Sequence, residues 1–132
     1  MSNQGSWQGK ETSITVDSDT NYTLKEIVVR QGASYLWAEV TPAVSDALQT
    51  FLIQEKVRSD ATYVTVAQAA SDFIPATASD SSFVDFATHD MTTLAAEAVG
   101  MFRIPVKGLY SVKLLAKSAS SDNTVDLYWA MR

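Results

Sequence analysis

At 132 residues, with 46% hydrophobic, 10% aromatic and 19% charged side chains, the chain is sized for one domain with a real core, which excludes a multidomain assembly or a wholly disordered polymer. Ten Lys and Arg against fifteen Asp and Glu leave a net charge of −5, the wrong sign for holding nucleic acid through counterion release. The absence of Cys removes disulfides and thiolate chemistry, and no apolar run approaches the roughly 20 residues of a membrane-spanning helix, so neither nucleic acid nor membrane is an expected partner.

The opening, MSNQGSWQGK, carries neither the positive region nor the apolar stretch of a secretory signal peptide. Residues 1–12 are polar apart from Trp7 and are expected to form an N-terminal arm ahead of a single domain over residues 13–132. Such termini are mobile unless something ties them down. A lone large anchor in a polar arm reads as a strap laid across an adjacent subunit, with Trp7 making the contact.

From Ile14 onward, short alternating runs are separated by Gly, Pro, Asn, Asp and Ser clusters, the pattern of consecutive strands. Strands are predicted over residues 14–16, 22–30, 34–40, 48–57, 62–67 and 83–86, the last enclosed by long surface loops within residues 71–93. Residues 92–98, TTLAAEA, suit a helical turn as well as a strand. In residues 99–106, Phe102, Ile104 and Val106 share one face, and Pro105 confines the strand to an edge or an end.

After a turn at Lys107 and Gly108, residues 109–117 place Tyr110, Val112, Leu114 and Ala116 on one face. Residues 124–132 do the same with Val125, Leu127, Trp129 and Met131. The connecting SASSDN consists of turn formers, so the two runs are predicted to pair as an antiparallel hairpin. Some eight or nine short strands with apolar faces to bury predict an all-β fold, an antiparallel β-sandwich of the immunoglobulin-like or jelly-roll kind.

Catalytic constellations are thin. His89 is the single histidine and has Asp85, Asp90, Ser81 and Ser82 nearby in sequence, but no G-x-S-x-G elbow accompanies it, so a solvated loop histidine is the simpler reading. Asp17, Asp19 and Asn21 open like a calcium loop, yet Tyr22 stands where such a loop needs Gly and Val28 where it needs Glu. A turn whose Asp and Asn side chains cap their own backbone fits better. No catalytic residue, metal or cofactor is expected.

Residues 59–102 hold Asp60, Asp72, Asp80, Asp85, Asp90 and Glu97 without one Lys or Arg. That stretch reads either as an acidic docking face or as loops kept soluble by scattered aspartates.

The aromatic residues carry the functional signal. In residues 34–40, Leu36, Ala38 and Val40 form one face, with Tyr35, Trp37 and Glu39 on the other. Either Trp37 enters the core and the smaller residues face out, or Tyr35 and Trp37 face out to meet a partner. In the second case they could stack on a sugar ring or anchor a protein contact.

Four segments in order, FLIQEK (51–56), SDATYVTVA (59–67), FRIPVKGLYSVKLLAK (102–117) and VDLYW (125–129), resemble the small β-sandwich structural proteins of tailed-bacteriophage virions, of the capsid decoration or cement type. The similarity covers about residues 48–132. In that family Arg103, Pro105, Gly108 and Tyr110 would correspond to structural positions, while the usual D-G-G-x-x-W turn is replaced here by Ser59 to Tyr63. The resemblance implies a non-enzymatic protein made in the host cytoplasm and carried on the capsid exterior. Its partners would be the major capsid protein or another virion protein, with homo-oligomers expected. A carbohydrate-binding, host-attachment module of a head or tail fibre, reading a surface glycan, is the alternative.

Overall fold

The computed structural model describes residues 7–68, 74–75, 96–97 and 99–132. Along the chain the strands are β1 (Gln8–Val16), β2 (Tyr22–Val28), β3 (Tyr35–Pro42), β4 (Leu48–Lys56), β5 (Val64–Gln68), β6 (Ile74–Pro75), β7 (Gly100–Pro105), β8 (Ser111–Ser118) and β9 (Asn123–Met131). They form a five-stranded sheet in the order β1-β9-β3-β7-β6 and a four-stranded sheet in the order β2-β8-β4-β5. Every neighbouring pair is antiparallel. The fold is thus the all-β sandwich that the alternating runs predict.

Period-two alternation explains the core. Leu36, Ala38 and Val40 of β3, Val112, Leu114 and Ala116 of β8, and Val125, Leu127 and Met131 of β9 all point between the sheets and are buried. Leu48, Ile53 and Ile104 complete the centre with no exposed surface. Burying such side chains is worth roughly 1.5–3 kcal/mol each, which is what holds two short-stranded sheets face to face.

Three expectations need correcting. Residues 109–117 and 124–132 do not form a hairpin: β8 pairs with β2 and β4, whereas β9 pairs with β1 and β3. Each of these strands carries a full apolar face, and placing them in opposite sheets lets the two faces meet across the core instead of lying side by side. Tyr110 does not share the buried row, because β8 begins at Ser111 and the Tyr110 ring is exposed. Residues 8–12, expected in the arm, are strand: β1 runs from Gln8, with Lys10 opposite Tyr128 and Glu11 opposite Leu127. Their polarity hid this, since β1 is an edge strand held mainly through its backbone.

Within residues 71–93, read as loops, Ile74–Pro75 forms a two-residue edge strand on β7. The strand expected at 83–86 lies outside the described residues.

Two aspartates organise the loops at one end. Asp17 Oδ1 accepts from the amides of Asp19 and Thr20 at 2.9 and 3.2 Å, and its Oδ2 accepts from the Tyr22 hydroxyl at 3.0 Å. Asp46 accepts from the amides of Ser120 at 2.6 Å and Ser121 at 2.8 Å, tying the β3–β4 loop to the β8–β9 crossing. Asn123 completes the link, donating to the carbonyls of Ala43 and Asp46 at 3.0 and 2.7 Å. These amide hydrogen bonds hold both carboxyls below the usual carboxylate range.

Gly9 faces the indole of Trp129 across β1 and β9, and a β-carbon there would run into the ring. Gly9→Ala should therefore destabilise the fold by about 1–3 kcal/mol in chemical denaturation, through overpacking. A carboxyl with a depressed folded pKa contributes stability above its unfolded pKa and loses it as pH falls through the folded one. The thermal midpoint should accordingly fall on acidification below about pH 4, and less steeply in Asp46→Asn.

Candidate functional site

The alternation that buries Leu36, Ala38 and Val40 turns Tyr35, Trp37 and Glu39 outward, so of the two orientations open to β3 the chain adopts the one that presents its large aromatics. The register sets their neighbours. Trp37 sits between Ala130 on β9 and Arg103 on β7, Glu39 lies beside Tyr128, and Tyr35 is opposite Pro105. Tyr35 is 37% exposed and Tyr128 41%, whereas Trp37 is half-buried. The Arg103 guanidinium lies 4.6 Å from the Tyr35 ring centre and 5.7 Å from that of Trp37, joining the two by cation–π contact.

Ala130 is the small residue of this face. With Trp37 on one side of it and Gln8 on the other, the sheet surface dips. A shallow groove of about 270 Å³ runs between Trp37, Glu39, Tyr128 and Ala130, and a second of about 450 Å³ continues past Tyr128 to Gln8 and Lys10. One carboxylate, one ammonium and two aromatic rings along an open groove suit recognition of a flat or extended ligand.

Trp7 is not part of this face. The Met131 amide donates to the Trp7 carbonyl at 2.6 Å, so Trp7 extends β1 opposite a buried residue and its ring emerges towards the opposite side of the sheet from Tyr35 and Trp37. There the Arg30 guanidinium lies 4.8 Å from the ring centre. Trp7 thus rests on its own chain and keeps 42% of its surface exposed.

Sequence reasoning missed a second aromatic and cationic cluster, on the outer face of the four-stranded sheet. Tyr63 hydrogen-bonds Ser111 Oγ at 2.7 Å, and the ammoniums of Lys113 and Lys56 stand 4.4 and 4.7 Å from its ring centre. Lys113 also lies 3.7 Å from Glu26. Burial first, then the charge of Glu26, pushes the Tyr63 phenol up, while its bond to Ser111 opposes the shift. Lys56 and Lys113 are far apart in sequence and meet only because β4 pairs with β8.

Of the chemical candidates, Asp17 is the centre of a self-capped turn with both oxygens engaged by its own loop. Asp60 pairs with Arg58 at 2.7 Å on the surface. His89, Asp72, Asp80, Asp85, Asp90, Ser81 and Ser82 lie outside the described residues. Among the described residues, no three His, Cys, Asp or Glu side chains are grouped to hold a metal ion.

Arg103→Ala should leave the sandwich folded and lower its stability by only about 0.5–1 kcal/mol, the range of exposed cation–π contacts. It should also raise acrylamide quenching of the Trp37 fluorescence. In an alkaline absorbance titration Tyr22, held up chiefly by its hydrogen bond to Asp17, should ionise late, and Asp17→Asn should shorten that lag.

No protein-family model matches the chain and no curated protein matches it. Among solved structures, the crystal structure of the SPBc2 prophage-derived protein YomS is similar in fold, with 17% sequence identity and a TM-score of 0.52 over 95% of this chain and 93% of that one.

Proposed function

We propose that this chain is a non-enzymatic structural protein of a phage virion, of the capsid decoration type, which adheres to the major capsid protein or another virion protein on the outside of the shell. The observation that carries the reading is the fold shared over nearly the whole of both chains with a protein of prophage origin. The outward row of Tyr35, Trp37 and Tyr128 supports it, because aromatic residues at a patch centre anchor protein contacts disproportionately. Cementing works by burying area across subunit seams, and many copies on one shell multiply weak contacts into avidity. Such a role requires no covalent chemistry.

The groove between Trp37 and Tyr128, with Glu39 at hand, favours one second reading, a glycan-binding module for host attachment. A sugar ring would lie against the aromatic faces while Glu39 accepts from its hydroxyls.

Phage particles released from cells that carry the gene for this chain should contain it in fixed ratio to the shell protein, and antibodies against it should label intact particles. A chain absent from such particles would overturn the virion reading. Trp37→Ala should weaken loading onto particles at least tenfold while retaining the sandwich. Glycan-array binding abolished by the same substitution, with loading unchanged, would transfer the site to the second reading.

A further inference from the structure

The antiparallel topology gathers the described loops into two ends, and it sorts the charge of the described residues between them. At one end the loops after β1, β3 and β8 meet, since the Ser118 amide donates to the Asp17 carbonyl and the Ala119 amide to that of Ala47. Asp17, Asp19, Asp46 and Asp122 sit there, joined by Glu97, whose amide donates to the Pro42 carbonyl. Among the described residues the nearest cation to this end is Lys117, towards the end of β8.

At the other end the loops after β2, β4 and β7 meet the last residue of the chain. The Val29 amide donates to the Tyr110 carbonyl, the Tyr110 amide to that of Lys56, and the Ser34 amide to that of Arg132. Of the described charged residues, Arg30, Lys56, Arg58, Lys107 and Arg132 collect here, with Arg103 two residues inward of the end of β7, against Asp60 and the half-buried Glu55. Among the described residues the middle of the sandwich, with Lys10, Glu11, Lys25, Glu26, Glu39 and Lys113, is balanced, while Asp126 of β9 lies towards the acidic end, in the same shallow depression as Glu97.

A second feature is independent of charge. Among the described residues, six of the nine large hydrophobic side chains that remain exposed lie at or beside the cationic end, Trp7, Val28, Tyr35, Val57, Val64 and Tyr110, and Tyr128 lies between the ends. The acidic end has only Tyr22 and Val44 of that kind among the described residues. Trp, Tyr and Arg together are the composition of interface hot spots, and exposed apolar groups clustered on one surface mark a contact site.

We infer that the cationic, aromatic end is a docking surface whose occupant is the acidic end of a second copy of this chain. Charge complementarity selects that occupant: the described residues give this surface an excess of positive charge, and every copy carries an acidic end opposite it. Contact between unlike ends is heterologous, so copies add head to tail, closing a ring if the rotation per step permits and otherwise extending as a filament. This contact is a property of the chain itself and does not depend on the virion reading.

The test is sedimentation velocity of the full chain over a range of protein concentrations. At about 20 mM salt the mean mass should rise with concentration, and at about 500 mM salt, where screening acts within a few ångströms, the association should weaken at least tenfold. Asp19→Lys with Asp122→Lys, and separately Lys107→Glu with Arg132→Glu, alter exposed positions. Each pair should give folded monomers by circular dichroism at low salt. Mixing the two should restore association as a one-to-one heterodimer, since each then offers the other an unlike native end. Asp19→Asn with Asp122→Asn supplies a milder control and should show intermediate association. A chain monomeric at every concentration in low salt would overturn the inference. So would association indifferent to salt, association surviving both charge reversals, or a cationic end that binds only acidic shell protein.

Discussion

The structure depends on one constraint: the central strands β3, β8 and β9 each carry an apolar side that has to leave water. Leu36, Ala38 and Val40 can be covered only by an apolar face arriving from another sheet, and Val112, Leu114 and Ala116 supply it. Because both sides of the core come from strands near in sequence, the chain must pass repeatedly from one sheet to the other. The β1–β2, β2–β3, β3–β4, β7–β8 and β8–β9 connections all do so. Those crossings build both ends of the molecule.

Crossings need holding, and short polar side chains do it. Asp46 and Asn123 tie the β3–β4 loop to the β8–β9 crossing, while Asp17 caps the turn after β1. The same residues that satisfy these backbone groups make that end acidic. Structural capping and surface charge therefore have a common origin here. The open side of the sandwich is closed differently: Lys25 of β2 reaches Glu11 of β1 at 3.0 Å and lies 5.5 Å from the Trp129 ring centre, which itself rests against Gly9. An ion pair this exposed adds little stability. Its alkyl stem and the indole instead shield the edge of the core from water.

The outer faces follow from the inner ones. Once Leu36 and Val40 are committed inward, Tyr35, Trp37 and Glu39 have nowhere to go but out, and the register against β7 and β9 decides their company. Arg103 and Tyr128 reach the candidate face from distant parts of the chain, as Lys56 and Lys113 reach Tyr63 on the other side. One sandwich thus carries a different set of side chains on each outer face and at each end.

What the sequence by itself determined was local: period-two alternation located most strands, grouped the apolar rows of β8 and β9 apart from Tyr110, and set Tyr35 and Trp37 on one face of β3 while leaving open which face of that strand turns inward. Those features depend on neighbours one or two residues away. The edge strand β1 escaped because Gln8, Gly9, Lys10 and Glu11 have no apolar alternation, and an edge strand is specified by backbone hydrogen bonds to a partner more than a hundred residues distant. Only the tertiary structure decided that β8 and β9 part into opposite sheets, since SASSDN is compatible with a hairpin and with a crossing alike, and burial of two complete apolar faces selects the crossing. It also decided which cations meet which rings and how charge divides between the ends, because strand pairing, and not sequence proximity, brings those side chains together.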